Sequence, residues 1–184
     1  MKSSIQIGAA LVALVGMNAL ATSADAGEWY GALRVGQSQT DVGANGSSVS
    51  FDEGLSYGGA VGTSVGPVRV EAGVNRLSGD FATVVDADAL DWNATAYLDL
   101  PIGDNASVYA GAGLDYVDGS ASIYGYDIDA SGEGYHLSVG AAYRLNSNMI
   151  GEIQYTQINA ELDTDFGGVD LDASNISIGV RFAL

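Results

Sequence analysis

Between Leu90 and Tyr116 the chain alternates. Leu90, Trp92, Ala94, Ala96, Leu98 and Leu100 are apolar, and the residues between them, Asp91, Asn93, Thr95, Tyr97 and Asp99, are nearly all polar. The pattern breaks over Pro101–Ala106 and resumes, with Val108, Ala110, Ala112, Leu114 and Tyr116 on one face and Tyr109, Gly111, Gly113 and Asp115 on the other. A period of two marks a strand with unlike faces, and Pro, Gly, Asp and Asn between two such runs mark a turn. The stretch therefore predicts an antiparallel hairpin of two strands, each roughly ten residues long, against the five or six of an ordinary strand. That greater length is what a strand needs to cross a bilayer at a tilt.

The same alternation predicts further strands over about 28–38, 55–65, 68–77, 135–145, 149–160 and 175–184, eight in all. The links between them alternate in length. Gly66-Pro67, the Pro101–Ala106 break and Asn146-Ser147-Asn148 are short, whereas the links up to about Gly54, over about 78–89, over 118–134 and over 161–174 are long, polar and acidic. In an up-and-down barrel every long link falls at one rim and every short turn at the other, the asymmetry of outer-membrane barrels. The expected fold is all-β: an eight-stranded antiparallel up-and-down transmembrane β-barrel spanning residues 27–184.

The N-terminus changes the picture of location. Lys2, the apolar run Ile5–Leu20 and Ala24-Asp25-Ala26 make the positive, apolar and A-x-A parts of a secretory signal peptide. Residues 1–26 are expected to be cleaved. There is no cysteine, hence no disulfide and no thiolate metal site. The net charge is −17 and the only lysine is Lys2, which argues against nucleic-acid binding. Mean hydropathy is nevertheless +0.16, as expected if apolar positions alternate with small ones and acids gather in the links.

Alternation does not say which face points inward. A lipocalin-like soluble barrel would have its apolar face inside. Here the other face is made of small residues, Gly58, Ala60, Gly62, Ser64, Gly111, Gly113, Gly140 and Ala142, which suit a narrow, curved lumen better than a water-facing wall. Aromatics at strand ends share the apolar face: Trp29, Tyr57, Trp92, Tyr116, Tyr135, Tyr143 and Phe182. They are expected to form interfacial girdles. Arg34, Arg69, Arg144 and Arg181 then point inward with Glu71, Asp99 and Glu152. Buried charges must be paired, so these seven residues are expected to form a salt-bridge network that plugs the lumen and forbids an open pore. Arg76 points outward near the outer end, either as a plain rim arginine or toward lipopolysaccharide phosphate.

FDEGLSYGGAVGTSV (51–65), VRVEAGVNR (68–76), NATAYLDLP (93–101), SVYAGAGLDY (107–116) and SIGVRFAL (177–184) resemble the small eight-stranded outer-membrane barrels: the OmpA-type transmembrane domain, OmpX, the opacity-type adhesins and alphaproteobacterial surface antigens. The resemblance implies residence in the outer membrane of a Gram-negative bacterium, with lipid and lipopolysaccharide as surroundings. Ser177, Gly179, Phe182 and Leu184 resemble the C-terminal signal read by the barrel-assembly machinery, with Leu184 where the pattern usually has Phe. No cofactor or metal is implied.

His136 and Ser138, with Glu152 on the next strand, loosely resemble the catalytic set of a lipid A deacylase. Their phase points them into the lumen, away from lipid. Asp163, Asp165, Asp170 and Asp172 carry oxygens that suit Ca²⁺, but their spacing matches no calcium motif and reads as a solvated acidic loop. The expected function is a non-enzymatic surface protein of the envelope. An adhesin or receptor acting through the loops, a narrow channel and an esterase are the alternatives.

Overall fold

The computed structural model describes residues 28–44, 47–81, 85–123, 126–164 and 167–184. The expected signal peptide lies outside the described residues. Eight strands follow one another: β1 (Glu28–Ala44), β2 (Ser47–Val65), β3 (Val68–Phe81), β4 (Val85–Ile102), β5 (Ala106–Ile123), β6 (Tyr126–Arg144), β7 (Met149–Thr164) and β8 (Gly167–Ala183). Each pairs antiparallel with its neighbour in sequence, and β1 pairs with β8, so the sheet closes into a barrel with no free edge.

The register sets the width. Trp29 lies opposite Thr63, then Val70, Ala96, Ala112, Leu137, Gln157 and Ser174 around the wall, and Ser174 lies opposite Gln39. One circuit thus climbs from residue 29 to residue 39, a stagger of 10 residues. Eight strands with that stagger tilt by about 40° and enclose a bore that side chains can fill.

The barrel is apolar outside and charged inside. Leu114 is 69% exposed, while Arg69 is 0% and Glu71 2% exposed. Leu33, Leu137, Val139, Ile153 and Ile178 are exposed as well. A soluble barrel would reverse this arrangement; a lipid-facing wall requires it.

Large inward rings sit opposite glycines. Tyr30 pairs with Gly62, Tyr97 with Gly111, His136 with Gly113 and Tyr109 with Gly140. A Cβ at any of these glycines would run into the ring across from it. The small inward residues therefore make room for specific large neighbours.

The strands are longer than the alternation predicts, 14 residues in β3 and 19 in β2 and β6. The stretches read as long acidic loops largely continue the barrel wall beyond the outer aromatic residues. Their Gly, Ser and Asp content lowers strand propensity, but the register is already set by the lower wall, and each added ladder bond extends it. The short turns match expectation: Gly66 and Gly103 take φ of 60° and 71°, which glycine allows without strain, and Asn146 Oδ1 accepts from the Asn148 amide at 2.9 Å in the third.

Candidate functional site

Among the described residues, polar and charged side chains concentrate in the interior, which is built in layers. The lower layer is an ion-pair lattice. The Arg34 Nη2 atom lies 2.8 Å from Glu71 Oε2, and Arg34 Nε 2.7 Å from Glu152 Oε1. Arg69 pairs closely with Glu71 and donates from Nε to Asp99 at 2.9 Å. Arg181 forms an ion pair with Glu152 at 2.9 Å. The Tyr30 hydroxyl donates to Glu71 at 2.9 Å. The Arg69 guanidinium also lies 4.1 Å from the Tyr97 ring centre and 4.9 Å from that of Tyr109, and the two rings meet edge to face at 5.6 Å. Arg34, Arg69 and Arg181 balance Glu71, Asp99 and Glu152, so the lattice is neutral, which is the condition for burying it.

The structure brings together six of the seven residues singled out for a lumen network and leaves Arg144 out. Arg144 ends β6 and is exposed, with no ion pair among the described residues. It also does not reach Glu152 across the turn. Its ladder partner is Ile150, and Glu152 lies two positions further into the lumen, where Arg34 and Arg181 take both its oxygens.

Above the lattice is a polar chamber. Its residues include Ser56, Asn75, Asp91, Asn93, Thr95, Asp115, His136, Gln154, Thr156 and Asn175, and it holds about 30 Å³ of free space, room for one or two waters. His136 Nδ1 lies 2.7 Å from Asp115 Oδ1, and its Nε2 lies 3.0 Å from the Thr95 hydroxyl. Asn75 and Asn93 each donate to Asp91 Oδ2 at 3.0 Å. Ser138 and Thr156 share a hydrogen bond of 3.0 Å, and Gln154 donates to Thr156 at 2.9 Å. Above the chamber, Val117, Ala160 and Leu162 are buried together, with Ala89, Ala130 and Leu171 packed on them.

These contacts dissolve the esterase-like set. His136 is committed to Asp115 and Thr95, Ser138 to Thr156 and Gln154, and Glu152 to two arginines. Arg76 does not stand free for phosphate, since its guanidinium donates twice to Asp88, at 3.1 and 3.0 Å. Asp163, Asp170 and Asp172 lie exposed on β7 and β8 rather than in a loop, and Asp165 falls outside the described residues. The chamber acids and the rings of Tyr30, Tyr97 and Tyr109 carry the same inward parity as the arginines. Parity was the available signal for them, and charge alone drew attention to the lattice.

The seven aromatics all take outward positions, but Tyr57, Trp92, Tyr116 and Tyr135 stand in mid-strand rather than at strand ends, because β2, β4, β5 and β6 run on past them. Tyr57, Trp92, Tyr135, Tyr143 and Phe182 are exposed, and Trp29 and Tyr116 half-buried. Tyr135 and Tyr143 are eight positions apart on β6, about 20 Å along the membrane normal at 3.3 Å per residue and the tilt above. Leu137, Val139 and Ala141 lie between them. At the C-terminus, Ser177 is buried, Gly179 half-buried, and Phe182 and Leu184 exposed.

A family model described as the outer membrane protein beta-barrel domain matches residues 7–182. The structure of Neisserial surface protein A, NspA, matches with a TM-score of 0.70 at 18% identity, covering 85% of this chain and 97% of that one. OprG from Pseudomonas aeruginosa matches with a TM-score of 0.56 at 12% identity, covering 86% and 97%. Ail, the attachment invasion locus protein of Yersinia pestis, matches with a TM-score of 0.51 at 18% identity, covering 84% and 99%. At these identities the likeness is one of fold. No curated protein matches the chain.

Proposed function

The chain belongs to the outer-membrane β-barrel family, and from that premise we propose that it is a non-enzymatic, plugged barrel of the Gram-negative outer membrane that works through its wall and its outer rim. The neutral lattice of Arg34, Arg69 and Arg181 with Glu71, Asp99 and Glu152 carries this reading. It fills the lower bore with side chains that hold one another, and the Val117–Ala160–Leu162 layer fills the upper bore. Residues 1–26 act as the cleaved signal peptide. The outward aromatics act as two girdles against the lipid headgroups. Ser177, Gly179, Phe182 and Leu184 serve the barrel-assembly machinery.

The rim supports a second role, as the receptor or adhesive surface. Glu133, Glu161 and Asp170 lie side by side across β6, β7 and β8, and Asp41 lies opposite Asp172. Like charges placed directly opposite destabilise a sheet, so the rim carries a cost that a binding task would explain. Ail, similar in fold, is named for attachment.

The test compares cells with and without the protein. Deletion is expected to weaken the envelope against detergent while lipid A keeps its mass. A lipid A mass change that depends on the protein and disappears in Ser138→Ala would overturn the non-enzymatic reading. Neutralising Glu133, Glu161 and Asp170 is expected to leave detergent resistance intact and to lower attachment to surfaces.

A further inference from the structure

The chamber above the lattice holds a charge that the plugged-barrel reading does not use. Asp91 and Asp115 are 1% and 5% exposed. Asp91 on β4 pairs with Val117, and Asp115 on β5 pairs with Asn93, so the two carboxyls are diagonal neighbours on the inward face. Asp91 Oδ2 accepts from both Asn75 and Asn93, but Asp91 Oδ1 has no partner. Asp115 meets His136 Nδ1 with both oxygens, and His136 Nε2 meets the Thr95 hydroxyl. A neutral imidazole satisfies this arrangement, donating from Nδ1 to Asp115 and accepting at Nε2 from Thr95. Arg34 lines the same chamber, but its charge is matched within the lattice, where Nε donates to Glu152 and Nη2 to Glu71.

Two carboxyls are thus buried side by side with amides and one imidazole beside them, while the guanidinium charges are matched within the lattice. Such a pair must take up a proton or a cation. We propose that the chamber is a binding site for one divalent cation, held by Asp91 Oδ1 and the Asp115 carboxylate and completed by neutral oxygens of the chamber and by water. Charge selects a divalent ion, since it brings the pair to neutrality. Among the described residues no three His, Cys, Asp or Glu side chains converge as a ligand set, and His136 turns Nδ1 to Asp115. Both ring nitrogens of His136 are engaged, by Asp115 and Thr95, so the donors left are oxygens, which suit a hard cation such as calcium, tolerant of irregular coordination, better than zinc. The free space of about 30 Å³ admits one ion. The lattice lies below this site and the apolar layer above it.

The experiment uses the purified protein, unfolded in urea and refolded into zwitterionic micelles in the presence of radioactive calcium chloride. It is then dialysed against high salt, which screens the exposed rim acids. The expected result is one calcium retained per barrel, lost in Asp91→Asn and kept in the rim control Asp172→Asn. Refolding with calcium is expected to raise the unfolding midpoint of the wild type by roughly 5 °C and to leave that of Asp91→Asn unchanged. Asp115→Asn gives the same comparison if Asp91→Asn does not refold. Equal retention by wild type and both chamber variants, or no retention by any, overturns the proposal. A midpoint indifferent to calcium that falls as pH rises also overturns it, because a proton then occupies the place between the two acids.

Discussion

The two levels of the lumen solve the same problem in opposite ways. In the lower level three carboxylates, two buried and one half-buried, lie beside three guanidiniums, and Arg34, Arg69 and Arg181 supply the charge that Glu71, Asp99 and Glu152 require. In the upper level Asp91 and Asp115 are as deeply buried but meet only amides, one imidazole and a vacant donor position at Asp91 Oδ1. Burial is common to both; the countercharge is not. A lattice whose charges are all supplied by the chain is a structural part. A pocket whose charge is left open is a place for something from outside the chain.

The comparison breaks most visibly at Glu71, which binds Arg34, Arg69 and Tyr30 at once. Glu71→Ala leaves two guanidiniums buried without it and is expected to cost about 3–5 kcal/mol, read as a lower urea midpoint of the heat-modifiable gel band. The wall itself sets the next largest effect. Leu114→Arg places a charge on the lipid face at a residue that is 69% exposed and is expected to cost about 2–4 kcal/mol by the same measurement, with the lattice intact. Gly111→Ala drives a Cβ into the Tyr97 ring that stacks on Arg69 and is expected to cost about 1–3 kcal/mol.

The upper level should respond with the opposite sign. In chelator, Asp91→Asn removes an unopposed buried charge while keeping the side chain's shape, and is expected to leave stability unchanged or raise it by about 1 kcal/mol. A loss as large as that of Glu71→Ala would erase the distinction between the levels. The smallest effect lies on the rim. Glu161→Gln relieves repulsion from Glu133 and Asp170, is expected to gain about 0.2–1 kcal/mol, and should lose that gain in high salt.

Why the lower level was legible in the sequence and the upper was not follows from the same contrast. Parity places Arg34, Arg69 and Arg181 inside with Glu71, Asp99 and Glu152, and opposite charges confined to a narrow bore can only pair. Parity equally places Asp91, Asp115, His136 and Thr95 inside, but their meeting depends on how β4, β5 and β6 are staggered, which no single strand encodes. Arg144 shows the limit from the other side. Its parity is inward, yet it stands at the end of β6, where the bore has already opened to the rim. The upper strands were hidden because Gly, Ser and Asp lack strand propensity. They continue the sheet because the neighbouring strand offers each of them a ladder position.

Planar-bilayer conductance tests the central claim most directly. The account predicts that the wild-type barrel inserts, as shown by its heat-modifiable gel band, and passes no steady current. Glu71→Ala should give resolvable openings as Arg34 and Arg69 are released. A steady ohmic conductance through the wild-type barrel would contradict a lumen closed by its own charges.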